Sequence, residues 1–161
     1  MFRSRRLAIL ATCLLCGSCW AIALLGQEGV NETGTTIETL DGKVRQFLEG
    51  ISAGETQSAY DELLINSRLA SQEQALADLI DKTKQLDKFG EYRAFEQIAA
   101  KRLGKDLVLL KYLYKCEDFP VVWYFSFYRT SVAGATEPGK WRIITVRFDT
   151  NLERLAWGEG A

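Results

Sequence analysis

The spacing of apolar residues changes once along this chain, and that change constrains the fold more than any other feature. Before Gly90, apolar residues recur at intervals of three and four, which places their side chains on one face of an α-helix. After Gly90 the interval falls to two, as in a β-strand whose side chains alternate between two faces. Helices followed by strands indicate an α+β protein rather than the alternating order of a parallel α/β sheet.

Three helices are predicted in the first part of the chain. They run from after Thr35 to Gly54, from about Thr56 to Leu64, and from near Ser71 to Phe89. Thr35 and Glu38 have the spacing of a capping box, and Ser71 and Gln74 repeat it. Gly54 and Gly90 follow the first and third helices, as glycine often does at a helix C-terminus.

Four strands are predicted in the second part: Tyr92–Lys101, Leu107–Cys116, Val121–Arg129 and Trp141–Asp149. Turn residues separate them, and short connections favour antiparallel neighbours. The sequence therefore predicts N-terminal helices packed on a four-stranded antiparallel sheet, in a single α+β domain over residues 36–161.

The third strand is apolar on both faces. The stretch VVWYFSFYRT holds five aromatic residues in ten, with Val121, Trp123, Phe125 and Phe127 on one face and Val122, Tyr124, Ser126 and Tyr128 on the other. An exposed aromatic stripe of several hundred Å² is unusual on a monomer. The pattern therefore predicts a homodimer through the sheet, with Trp123, Phe125 and Phe127 as candidate interface residues.

The N-terminus has the pattern of a targeting segment. Arg3, Arg5 and Arg6 precede an apolar run from Leu7 to Leu25, so residues 1–26 are either a signal peptide or an uncleaved membrane anchor. Residues 27–35 are polar and predicted to be a linker. Either alternative places the domain outside the cytoplasm, because positive charges stay inside. Contact with a membrane is expected only through residues 7–25, if they are retained.

Composition excludes several chemistries. The chain contains no histidine, so it has no Ser-His-Asp triad and no histidine metal ligand. No glycine-rich phosphate loop occurs, and we expect neither a cofactor nor a metal. Outside residues 1–26 the chain has 17 basic and 21 acidic residues. This mildly acidic balance argues against nucleic acid as a partner.

Single residues offer weaker signals. Cys13, Cys16 and Cys19 lie within the apolar run, which leaves Cys116 as the lone cysteine of the domain, more often a small core residue than a reactive thiol. Arginines of the sheet are candidate anion clamps, although half-exposed arginines more often pair with acids or water. These arginines are Arg93, Arg142 and Arg147.

Three stretches resemble the nuclear transport factor 2-like superfamily: FLEGISAGETQSAYDELL, KFGEYRAFE, and VVWYFSFYRT together with GKWRIITVRFDTNL. The resemblance covers about residues 36–155. It implies a cystatin-like cone, in which a bent antiparallel sheet wraps a long helix, with a pocket at the open end and a dimer interface on the convex face. The superfamily includes isomerases, dehydratases, transport factors and exported domains without known activity, so the resemblance implies a fold and not one function.

Three functions remain open. The first is an exported, non-enzymatic module that binds a small apolar ligand or a protein partner. The second is a cofactor-independent isomerase or lyase that uses tyrosine and a carboxylate in the cone pocket. The third is a structural or assembly subunit. For the first two, the candidate ligand-binding residues are Tyr60, Tyr112, Tyr124 and Tyr128.

Overall fold

A computed structural model describes residues 28–130 and 139–153. Within these residues the chain forms three α-helices, two short 3₁₀ helices and four strands. The α-helices are α1 (Glu28–Ser52), α2 (Thr56–Leu63) and α3 (Glu73–Lys84). The strands are β1 (Tyr92–Leu103), β2 (Leu107–Cys116), β3 (Val121–Arg129) and β4 (Trp141–Asp149). The protein is therefore α+β, with its helices before its sheet.

Helix α1 begins earlier than the sequence predicts. It starts at Glu28, so residues expected in a linker before Thr35 are helical. At the C-terminus of α1 the predicted end agrees with the structure. Gly54 lies just beyond the last turn and has a φ of 80°, a conformation that favours glycine.

The third predicted helix is divided in the structure. A 3₁₀ helix (Arg68–Ser71) precedes α3, and a second (Gln85–Phe89) follows it. Ser67, not Ser71, caps the first of these, because its Oγ accepts a hydrogen bond from the Leu69 amide at 3.1 Å. The same Oγ donates to the carbonyl of Ile143 at 2.7 Å. This buried serine therefore joins the helical layer to β4.

The sheet is an antiparallel meander. Its strand order is β1-β2-β3-β4, so each strand pairs with its neighbour in sequence. The predicted limits of β2, β3 and β4 are confirmed, and β1 continues two residues further, to Leu103. Irregular pairing interrupts the register between Gln97 and Ala99 in β1 and opposite Ser126 and Phe127 of β3.

The core lies between α1 and one face of the sheet. Helix α1 contributes a stripe of buried residues spaced by three and four: Leu40, Val44, Phe47, Leu48 and Ile51. The Phe47 ring meets Trp123 edge-to-face at 5.4 Å and Phe125 at 5.7 Å, both from β3. These contacts identify the helix-facing side of β3 as the one that carries Val121, Trp123, Phe125 and Phe127.

The outer face of β3 is covered by long side chains from neighbouring strands. Val122 is fully buried and Tyr124 is only 7% exposed, although no helix packs there in the described structure. Lys111 Nζ lies 5.1 Å from the centre of the Tyr124 ring, and Arg147 Cζ lies 4.3 Å from it. Such side chains lay their apolar stems over the sheet and keep their charges in water. The outer face of β3 is therefore covered within one chain at Val122 and Tyr124, whereas Tyr128 stays 43% exposed.

Among the described residues, no helix is both long and apolar enough to cross a membrane. The predicted targeting segment, residues 1–26, lies outside the described residues.

Candidate functional site

The largest groove of the described structure lies between α1, α2 and the adjoining ends of β3 and β4. Its volume is about 930 Å³. Six apolar residues line it: Leu40, Phe47, Ala59, Leu63, Ile65 and Trp141. Most of the groove's apolar lining is contributed by the two helices, and Trp141 at the start of β4 is the part that the sheet contributes.

The backbone after α2 leaves an apolar side chain in the open. Asn66 has a φ of 65°, a left-handed conformation that asparagine tolerates better than most residues. This turn directs the chain from α2 into the 3₁₀ helix while Ile65, just before it, stays 66% exposed. An exposed isoleucine beside a concave surface is an energetic cost that a bound apolar group would remove.

A basic residue fixes the position of Trp141. The Arg129 guanidinium lies 5.1 Å from the centre of the Trp141 ring. Arg129 Nε donates to Asp106 Oδ1 at 3.1 Å, and its Nη2 donates to the Lys105 carbonyl at 3.2 Å. The indole is thus held against the groove by an arginine that the β1–β2 turn anchors.

Charged side chains surround the same groove. Lys43 of α1, Lys140 and Arg142 line it beside Arg129, and among the described lining residues Glu62 of α2 is the one acid. Glu62 Oε1 accepts a hydrogen bond from Gln46 Nε2 at 2.7 Å. The groove therefore combines apolar surface with an excess of positive charge.

Two of the predicted ligand-binding tyrosines lie in the core. Tyr60 is fully buried, and its hydroxyl shares a hydrogen bond of 2.9 Å with the Thr83 hydroxyl of α3. The Tyr112 hydroxyl donates to Asp41 of α1. Burial raises the pKa of both phenols above the usual value for tyrosine, and neither residue lines the large groove.

The Tyr112 contact belongs to a polar cluster between α1 and the sheet. Gln97 Nε2 donates to Asp41 Oδ1 at 2.8 Å, and Arg45 Nε donates to Asp41 Oδ2 at 2.6 Å. The pKa of Arg45 is raised, chiefly by its hydrogen bond to Asp41. Because both carboxylate oxygens are engaged, this cluster joins α1 to β1 and β2 rather than offering a free base.

The remaining predicted residues divide between two faces of the sheet. Tyr124 lies beneath Lys111 and Arg147 on the outer face, where Tyr128 is 43% exposed. The candidate interface residues Trp123, Phe125 and Phe127 are at most 2% exposed and pack against the helices. The structure thus places these three in the core of one chain, and it does not bring the four tyrosines together.

A smaller groove of about 590 Å³ surrounds Cys116. Its lining includes Asp87, Glu91 and Glu117, so its charge is opposite to that of the large groove. Burial and the nearby Asp87 carboxylate raise the pKa of the Cys116 thiol, which favours the unreactive protonated form.

Ion pairing accounts for one candidate anion clamp. Arg93 Nη2 lies 2.7 Å from Glu117 Oε1, in agreement with the sequence-based interpretation of a paired arginine. In the part of the chain that the structure describes, no three or more cysteine and carboxylate side chains are grouped as metal ligands.

Comparisons of the chain with family models, with curated proteins and with solved structures gave no match. Assignment to the nuclear transport factor 2-like superfamily therefore stays a prediction from the sequence.

Proposed function

We propose that this chain is an exported, non-enzymatic module that binds a small, largely apolar ligand in the groove between α1, α2 and β4. One observation carries the proposal: a groove of about 930 Å³ exposes apolar side chains, with Ile65 66% exposed beside the half-buried Trp141. Ligand sites are typically concave, mainly apolar and about 300–1,000 Å³ in volume. We also propose the bent, cystatin-like form of the sheet, in which this groove would be the open end of the cone.

A catalytic role has less support. The rival function needs a tyrosine and a carboxylate that face a ligand, and the structure pairs Tyr112 with Asp41 outside the large groove. Arg45 and Gln97 occupy the remaining sides of that carboxylate. The pair has the contacts of a structural cluster, which favours a binding module over an isomerase or lyase.

We propose an extracytoplasmic location, supported by the arginines before the apolar run at residues 7–25. A reporter enzyme that works only outside the cytoplasm should be active when it is fused after Ala161. If only a reporter that works in the cytoplasm is active there, both the extracytoplasmic location and the export of the binding module are contradicted.

We further propose that the expected homodimer uses the outer face of the sheet, since Trp123, Phe125 and Phe127 are buried in the core. Support comes from Tyr128, 43% exposed on that face. Tyr128→Lys should then raise the dimer dissociation constant in analytical ultracentrifugation. A monomeric native chain at high micromolar concentration would rule the dimer out.

The ligand proposal can be tested with a neutral fluorescent probe, 1-aminoanthracene, and the full chain held in lipid nanodiscs, with protein-free nanodiscs as the blank. We expect saturable binding at one site per chain. Leu63→Trp places a larger side chain in the groove and should abolish that binding. The control Leu103→Trp alters a 39% exposed leucine of β1 and should leave it intact. Unsaturable binding, or equal binding by Leu63→Trp, would refute the proposal.

A further inference from the structure

Positive charge is concentrated at the large groove of a chain that is otherwise acidic. Within residues 28–130 and 139–153, four basic residues line it, against Glu62 as the one acid. Outside residues 1–26, by contrast, the chain has 17 basic and 21 acidic residues. A local excess of one charge sign beside a concave, partly apolar surface raises the local concentration of ligands of opposite sign.

Two of the four basic side chains are available to a ligand. Arg129 is engaged by Asp106 and by the Lys105 carbonyl. Arg142 lies opposite Tyr128 in the pairing of β3 with β4, so its side chain is on the outer face of the sheet. Lys43 and Lys140 are exposed, and they form no ion pair or hydrogen bond in the described structure. Like charges that share one site repel each other, so an anion placed among them would relieve that repulsion.

Burial separates the apolar and the charged parts of the groove. Leu40 and Phe47 are 1% and 2% exposed, and they form its inner surface. The free cations lie at its solvent side, because Lys43 and Lys140 are both exposed. A molecule that satisfies both parts has an apolar body directed inward and an anionic group directed toward solvent.

We propose that the ligand of this groove is an amphipathic anion, in the class of fatty-acid carboxylates, whose head group binds Lys43 and Lys140. A lysine ammonium group donates charge-assisted hydrogen bonds to a carboxylate. The inference rests on the proposed function, since it names the ligand class of the same groove.

The test compares two probes with the same chain length and different heads, octanoate and octan-1-ol. Each is titrated by calorimetry into the full chain in nanodiscs, with protein-free nanodiscs as the blank. We expect octanoate to bind at least about tenfold more tightly than octanol, as for a charge-assisted hydrogen bond. Its affinity should also fall when salt is raised, because exposed charges are screened.

The double variant Lys43→Gln/Lys140→Gln should reduce octanoate affinity to that of octanol and leave octanol binding unchanged. Arg68→Gln/Lys101→Gln is the matched control, because it removes the same charge from exposed residues that do not line the groove. This control should keep the native preference for octanoate.

The outcomes separate the inference from the proposed function. Equal binding of both probes to the native chain would overturn the anionic ligand class while the binding module stands. The absence of binding by either probe would refute both. A loss of octanoate preference in the control variant as large as in the groove variant would also overturn the inference, since net charge alone would then explain it.

Discussion

Hydroxyl groups of two buried tyrosines hold the helices in place. Tyr60 joins α2 to α3 through Thr83, and Tyr112 joins β2 to α1 through Asp41. Both tyrosines were candidates for ligand binding because the sequence shows that each has a hydroxyl group. It does not show which group that hydroxyl bonds in the folded protein. Asp41 belongs to the polar side of an amphipathic helix pattern, where a carboxylate is ordinary. Only the packing of α1 against the sheet reveals that Asp41 accepts hydrogen bonds from Tyr112, Gln97 and Arg45.

Removing the Tyr112 hydroxyl should destabilise the protein. Tyr112→Phe leaves Asp41 without one donor, and we expect a loss of about 1–2 kcal/mol in the free energy of unfolding. Tyr128→Phe removes the same atom from a 43% exposed residue and should change stability by less than about 0.5 kcal/mol. Urea unfolding followed by circular dichroism measures both. Equal losses in the two variants would contradict the structural role of the Tyr112 contact.

At the scale of elements, strands were easier to predict than helices. The limits of β2, β3 and β4 follow from alternating apolar residues bounded by turn residues. The 3₁₀ helix Arg68–Ser71 does not, because its capping residue Ser67 is also held by the distant Ile143 carbonyl. The start of α1 was missed for a related reason: Gly29, Gly34 and the polar residues around them have weak helix preferences, which give no clear local signal.

Two glycines that end helical segments offer a matched comparison. Gly90 has a φ of 86° and a ψ of 179°, a region essentially reserved for glycine, and a Cβ there would lie 2.9 Å from Glu117 Cβ. Gly54 has a φ of 80°, and nothing lies within 4 Å of a Cβ placed there. We expect Gly54→Ala to cost about 1 kcal/mol of backbone strain and Gly90→Ala about 2 kcal/mol more.

Thermal or urea unfolding of the two alanine variants decides this prediction. The turn before β1 and the turn after β2 are joined at Gly90, where the Asp118 amide donates to the Phe89 carbonyl at 2.9 Å. Gly90→Ala should therefore also disturb that junction. A smaller loss for Gly90→Ala than for Gly54→Ala would show that the junction is not closely packed.

For the whole molecule, the fold class could be predicted, and the residues that line the groove could not. The change in the spacing of apolar residues at Gly90 was enough to predict helices packed on an antiparallel sheet. The groove unites Lys43 of α1 with Lys140 and Trp141 at the start of β4, and no local pattern links positions so far apart. Arg142 was considered as an anion clamp, and only the strand register shows that it lies opposite Tyr128 on the outer face of the sheet.

Alkaline pH should unfold the protein through its buried phenols. Burial is the main cause that raises the pKa values of Tyr60, Tyr112 and Tyr114 above the usual value near 10. The stability linked to this shift is complete below pH 10 and is lost as the pH rises further, because the unfolded chain releases these protons first. We expect absorbance at 295 nm to show that these three buried tyrosines ionise only as the dichroism signal is lost. A single transition of all tyrosines with the fold intact would contradict the burial.

The meander order of the sheet determines which part of folding is entropically expensive. A loop of three residues, 104–106, joins β1 to β2, and residues 117–120 join β2 to β3, so these strands meet with little loss of chain freedom. Helix α1 is different, because Phe47 must find Trp123 across a long stretch of chain. Docking of α1 on the sheet is thus the main step that brings distant parts of the chain together. The aromatic contacts that form in this step offset the chain entropy that it costs.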